Sequence, residues 1–248
     1  MPKSINVHFL PELIPEQLLA KKTFVVIDVL RATTTIAHAL AAGAKSVVPC
    51  LEVADVRQRK GELAGEVVLG GERDGVKIEG FDFGNSPAEY TAESVGGKTL
   101  LFTTTNGTRA MKRASGAAQV LLAAFANFSA VCDRLSREQH IEVLCAGTNQ
   151  EVAREDVLLA GAIVDDQHNS DSRISMNDQA LLAADSWSRF RQDLADHETP
   201  LHETLRSSRG GRNLIEIGLE RDIEIAAQID TLYVVPKLDL GAWRITSA

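Results

Sequence analysis

The chain has 248 residues, of which 26 are Lys or Arg and 34 are Asp or Glu, for a net charge of −8. That balance argues against a general nucleic-acid or anionic-membrane binder, and the length is enough to bury roughly 70–75% of the unfolded surface without a disulfide or structural metal. Cys50, Cys132 and Cys145 are scattered in apolar settings with no zinc or disulfide spacing, which fits a reducing cytoplasm. The N-terminal MPKSINVHFL lacks a basic-then-apolar leader, and no window holds 18 apolar residues, so a soluble, unprocessed protein is expected.

Short apolar runs at 5–10, 23–29, 45–51, 67–70, 98–104, 119–125, 141–146 and 231–235 each have the length of a strand. Between them, Ala32 to Ala42 reads as a helix closed by Gly43, and Val131 with Leu135 marks a second helix that Asn127 could cap. This βα alternation predicts an α/β fold with a largely parallel or mixed sheet and helices on both faces. From 151 to about 228 no convincing strand stands out. Leu158, Leu159, Ile163, Leu181, Leu182, Trp187 and Phe190 suit two or three helices packed on the sheet, with loops at 165–178 and 207–213. A single domain, 1–248, with a mainly helical addition at about 151–228 is the simplest organisation.

Chemistry concentrates where strands should end. IDVLRATTT, Ile27 to Thr35, stops an apolar run at Asp28 and follows it with Arg31 and the hydroxyls of Thr33 and Thr34 at a helix start, a place that favours anions. Glu72 and Arg73 end another run. GFDFGNSP supplies Asp82, Asn85 and Ser86, the last placed to cap a helix with Pro87 at its first position. TTTNGTRA offers Asn106, Gly107, Thr108 and Arg109, and Glu155 and Asp156 begin a later helix. Each segment alone also reads as an ordinary cap or turn. Together they would form one site if their strands are neighbours at one sheet edge. The six histidines have no zinc or iron spacing, so hard oxygen donors point to magnesium. GGKT at Gly96 to Thr99 is no P-loop, because Ala92 replaces its leading glycine and a strand follows it.

DVLRATTT, GGERDG with GFDFGNSP, TTTNGTRA, the stretch from Cys145 to Asp156, and RDIEIAAQID before VVP together resemble the 2-phosphosulfolactate phosphatase family over nearly the whole chain. The resemblance implies magnesium-dependent hydrolysis of 2-phospho-3-sulfolactate to sulfolactate and phosphate, a coenzyme M biosynthesis-type step. It also implies an α/β fold without the DxD signature of haloacid-dehalogenase-type phosphatases; here Val29 and Leu30 follow Asp28. Two departures stand out: Thr34 where the family often has serine, and Asn149-Gln150 where it usually has glycine.

Phosphoryl transfer depends on positioning and on cations that match charge spread over the transferred oxygens. Asp28, Arg31 and Arg109 are therefore the expected catalytic residues, with Asp28, Glu72, Asp82 and Asp156 as magnesium ligands. Thr33, Thr34, Arg73, Asn85, Ser86, Asn106, Gly107, Thr108, Arg209 and Arg212 would bind a small anionic phospho-acid, Arg209 to Arg212 folding over it as a lid. A phosphatase of another 2-phospho-acid and a non-catalytic phospho-acid binding protein are the alternatives. No membrane partner is expected, and a homo-oligomer is compatible with the surface.

Overall fold

The computed structural model describes residues 3–15, 20 and 22–248. In chain order the strands are β1 Ser4–His8, β2 Thr23–Ile27, β3 Ser46–Pro49, β4 Val67–Arg73, β5 Val76–Lys77, β6 Thr99–Thr103, β7 Gln119–Ala123, β8 His140–Cys145, β9 Ser175–Met176, β10 Pro236–Asp239 and β11 Arg244–Ser247. The helices are α1 Ala32–Ala41, α2 Val53–Glu62, α3 Ala92–Val95, α4 Gly107–Arg113, α5 Phe128–Leu135, α6 Arg154–Ser170, α7 Asp178–His197, α8 Leu201–Arg206, α9 Arg209–Glu216 and α10 Arg221–Ala226.

All strands join one mixed sheet in the order β5-β4-β6-β3-β11-β10-β7-β2-β8-β1-β9. Two parallel sets, β4-β6-β3 and β7-β2-β8-β1-β9, flank the antiparallel hairpin β10-β11. The strands of β2, β6 and most of β7 and β8 are buried residue after residue, the mark of a sheet covered on both faces. On one face Val25, Ile27, Val143 and Cys145 pack with Leu158, Leu159 and Ile163 of α6 and Phe190 of α7. On the other, Phe24 and Val26 share a core with Ile36 and Leu40 of α1, Met111 of α4, and Leu100 and Phe102 of β6. That second core spans both parallel sets and seats α1 and α4 between them.

The expected run of neighbouring strand ends does not hold. β2 is separated from β6 by β7, β10, β11 and β3, and the antiparallel pairings reverse the second set relative to the first. The two ends meet nonetheless: a Cβ at Gly107, just after β6, would lie 2.7 Å from Asp28 Oδ2, just after β2.

Four further expectations need correction. Residues 165–178 are not a loop: α6 runs to Ser170, and β9 and the start of α7 take most of the rest. Residues 207–213 are not a loop either, because Ser208 caps α9 by accepting from the Gly211 amide at 3.0 Å. Residues 231–235 are irregular, and the strands follow them as β10 and β11. Leu181 and Leu182 are exposed, whereas Ala180, Ala183 and Phe190 are the buried residues of α7. No helix among the described residues is long and apolar enough to cross a membrane.

Candidate active site

Where the two sets of strand ends meet, a cleft of about 250 Å³ opens between the β2–α1 turn, the β4–β5 hairpin, the start of α4, the loop after β8, and α9. Asp28, Arg31, Glu72, Asn85 and Asn106 all line it, and Asp74, Thr105, Thr148, Asn213 and Glu216 complete its polar wall.

Asp28 leaves β2 and is 7% exposed. Its Oδ1 accepts from the Ala32 amide at 3.1 Å and so starts α1, while Oδ2 accepts no hydrogen bond among the described residues. Gly107 opens α4 against that oxygen: a Cβ there would lie 2.7 Å from Asp28 Oδ2 and 2.5 Å from Ala32 Cβ. Only glycine permits this approach. Burial pushes the Asp28 carboxyl up to about 7; the Ala32 amide opposes that, Glu72 and Glu155 add to it, and Arg31 opposes it.

Arg31 is almost fully enclosed. Its Nη1 donates to Asp222 Oδ2 at 2.7 Å and its Nη2 to the Gly75 carbonyl at 2.8 Å, joining the β2–α1 turn to α10 and to the β4–β5 hairpin. Asp222 accepts from Ser86 Oγ through its other oxygen at 2.5 Å. Ser86 stands at the N-cap of the 3-10 turn Pro87–Glu89, with Pro87 at its start, but its hydroxyl makes no capping bond and is spent on positioning Asp222. Glu72 Oε1 accepts from the Thr105 amide at 2.7 Å, and Oε2 from the Gly75 amide at 2.8 Å, so it holds together the ends of β4 and β6.

The hydroxyls anticipated as phosphate ligands are occupied inside the protein. Thr33 Oγ1 donates to the Asp28 carbonyl at 2.9 Å, Thr34 Oγ1 to the Val29 carbonyl at 2.8 Å, and Thr108 Oγ1 to the Thr104 carbonyl at 2.8 Å. They shape the turns that place Asp28 and Gly107.

Several predicted site residues stand elsewhere. Asp82 accepts from the Leu69 amide at 2.8 Å and faces a separate hollow with Lys98. Asp156 spends both oxygens on the Val29 and Gly147 amides, at 2.9 and 3.1 Å, clamping the loops after β2 and β8. Its carboxyl is driven well above the usual range by burial, with Asp28 and Glu155 adding repulsion. Arg73 points away from the cleft, donating to the Leu51 carbonyl and Thr103 Oγ1. Arg209 pairs with Glu151, and Arg212 donates to the Ser207 carbonyl. Between those two arginines, Gly210 and Gly211 are packing glycines: Cβ atoms there would fall 2.1 Å from Glu155 Oε1 and 2.1 Å from the Leu205 carbonyl oxygen. The segment begins helix α9, which walls the cleft through Gly210, Asn213, Leu214 and Glu216. Arg109 is exposed and opens on an adjoining hollow.

Asn149 and Gln150, the departure from glycine, form a tight turn with φ of 52° and 64°, closed by the Thr148 and Glu151 amides and carbonyls at 2.9 and 3.0 Å. Asp222, within RDIEIAAQID, is a site residue that the sequence does not mark, because an acid in a charged helix carries no local signal.

No cluster of three or more His, Cys, Asp or Glu side chains among the described residues is arranged to hold a metal ion. The cleft nonetheless offers hard oxygen donors that suit magnesium, which takes one or two carboxylates and keeps several waters. Among the described residues Asp28 Oδ2 accepts no hydrogen bond and Asn85 Oδ1 is buried without a partner, while Glu72, whose two oxygens each accept an amide hydrogen and whose Oε1 keeps a further lone pair, stands across the same cleft. These donors fit such an ion.

The family model described as 2-phosphosulpholactate phosphatase matches residues 8–241. A probable 2-phosphosulfolactate phosphatase of Symbiobacterium thermophilum is 42% identical over 229 residues, covering 92% of this chain and 95% of that protein. One from Pseudothermotoga lettingae is 38% identical, covering 94% of each chain, and one from Thermotoga maritima is 38% identical, covering 90% of this chain and 91% of its own.

Proposed function

The chain belongs to the 2-phosphosulfolactate phosphatase family, and from that premise we propose that the Asp28 cleft hydrolyses 2-phospho-3-sulfolactate to sulfolactate and phosphate with magnesium as cofactor. The protein is a phosphoric monoester hydrolase. The whole chain acts as one domain, since α9 supplies a wall of the cleft and α10 supplies Asp222. The reaction is of the coenzyme M biosynthesis type, and the three free, buried cysteines suit its placement in the cytoplasm.

Charge at the cleft carries the proposal. Asp28, Glu72, Asp74 and Glu216 line it with a single guanidinium, Arg31, which is already paired with Asp222. A phosphate ester does not enter such a site alone, because like charges in a low-dielectric cleft repel strongly. Asp28 and Glu72, with Asn85 beside them, would hold magnesium, which when bound supplies the positive charge that phosphoryl oxygens require. Arg31 has five N–H donors, and the two bonds it makes leave others to bind phosphoryl oxygens. Its bonds to Asp222 and Gly75 fix the fork before substrate arrives, so little orientation entropy is lost in the transition state. Asn106, held by its Oδ1 to the Asn149 amide at 3.2 Å, orients the ester from the α4 side.

Phosphate release from 2-phospho-3-sulfolactate tests this directly. We expect turnover that requires magnesium and is abolished in Asp28→Asn, with the far-ultraviolet circular dichroism of that variant unchanged. Full activity in Asp28→Asn, or undiminished release in chelator, overturns the assignment.

A further inference from the structure

The substrate poses a geometric demand. In 2-phospho-3-sulfolactate the phosphate ester on C2 stands between the C1 carboxylate and the C3 sulfonate, so three anionic groups need neighbouring places, and phospholactate keeps only the first two. The Asp28 cleft has a single guanidinium, already shared with Asp222, and its other charged side chains are acids, so even with magnesium there its positive charge is taken up by the phosphoryl group.

A second hollow of about 190 Å³ adjoins it. Thr105, Asn106 and Asn149 line both, and on the far side stand Arg109 and Gln150, with Glu12 on the outer wall. We propose that this hollow receives the sulfonate and that Arg109 is the residue that selects for it. The inference rests on the activity proposed above.

Among the described residues Arg109 is the site-proximal guanidinium left uncommitted. Arg31 is bonded to Asp222 and Gly75, Arg73 to Leu51 and Thr103, and Arg209 to Glu151. Arg109 has no hydrogen bond or ion pair among the described residues and projects from α4 beside the shared rim. A guanidinium keeps its charge at every working pH, as a sulfonate does, and its planar fork suits a group with three equivalent oxygens.

The rim itself is held rigid. The Asn149 amide donates to Asn106 Oδ1 at 3.2 Å, which leaves Asn106 Nδ2 to donate to a ligand spanning the two hollows. The Asn149-Gln150 turn keeps two consecutive non-glycine residues at positive φ, and backbone of this kind clusters at active sites, ligand clamps and switch regions.

The test compares kcat/KM for 2-phospho-3-sulfolactate and for phospholactate, which lacks the sulfonate. In Arg109→Ala the ratio of the two should fall about 10- to 100-fold, the worth of a hydrogen bond to a charged group, chiefly through KM. Arg109→Lys should recover part of the ratio, as a charge without the fork. An unchanged ratio in Arg109→Ala overturns the subsite, whether or not overall activity falls. If the wild-type protein releases phosphate from neither ester, the activity proposal fails by itself. Calorimetry with sulfolactate then decides the subsite: binding that weakens in Arg109→Ala supports it, and equal binding overturns it.

Discussion

Replacing Asp222 by alanine probes the contact on which the cleft's arginine depends. Asp222 and Arg31 side chains are each 3% exposed and meet at 2.7 Å, so the substitution leaves a guanidinium buried with its charge uncompensated. Breaking a buried pair in this way costs about 3–5 kcal/mol, whereas replacing both partners by apolar groups is often neutral. The Ser86 hydroxyl also loses its acceptor. For a chain of this length each kcal/mol moves the melting temperature by about 2–4 °C, so Asp222→Ala should melt roughly 6–20 °C below wild type. Arg31→Met with Asp222→Leu should recover most of that loss while remaining inactive, and the thermodynamic cycle through the single variants should show strong coupling. Thermal unfolding by circular dichroism, with phosphate release on the same samples, gives both readouts. A fall of under 2 °C in Asp222→Ala, or additive effects in the cycle, would refute the view that this pair fixes Arg31.

Burial raises the carboxyls of Asp28, to about 7, and of Glu155 and Asp156. An acid raised on folding favours the fold below its unfolded value, 3.8 for Asp28, and that contribution is lost as pH rises through about 7, at most about 4 kcal/mol for Asp28 alone. Metal-free protein should therefore melt lower at pH 8 than at pH 5, magnesium should restore stability at pH 8, and Asp28→Asn should flatten the slope; a slope indifferent to Asp28→Asn refutes this. Gln150→Gly should relieve a left-handed backbone at φ of 64°, worth about 1 kcal/mol or 2–4 °C, and a lower melting temperature would show that the turn is not strained.

Legibility in the sequence follows burial. β2, β6, β7 and β8 are apolar along their length because both faces are covered, and they stand out as runs. The hairpin of β10 and β11 does not, since β10 begins at a proline and buries alternate positions, and β11 buries Ile245 alone. Two helical stretches resemble loops for different reasons. The outer end of α6 is polar, and α9 contains Gly210 and Gly211 for close approach rather than freedom. Close approach also explains why the leucines of α7 face water: a Cβ at Gly161 of α6 would lie 2.0 Å from the Ala183 carbonyl oxygen, so small residues make that interface. Asp28, Arg31 and Glu72, charges at the ends of apolar strands, reach one cleft with Asn85 and Asn106 from the turns beside them, although Arg73 at the same strand end as Glu72 turns away. The hydroxyls of Thr33, Thr34, Ser86 and Thr108 satisfy protein acceptors instead.

The hairpin that sequence patterning misses also ties the two halves of the site together. β10 and β11 stand between β7 and β3, contributing two strands to the span from β2 to β6. Leu238 and Ile245 join the core that Ile36 and Leu40 of α1 share with Phe102, so the hairpin packs against both the helix that Asp28 starts and the strand that leads to Gly107. Support for the phosphoryl site thus comes from some 200 residues downstream of Asp28, from side chains that line no part of the cleft.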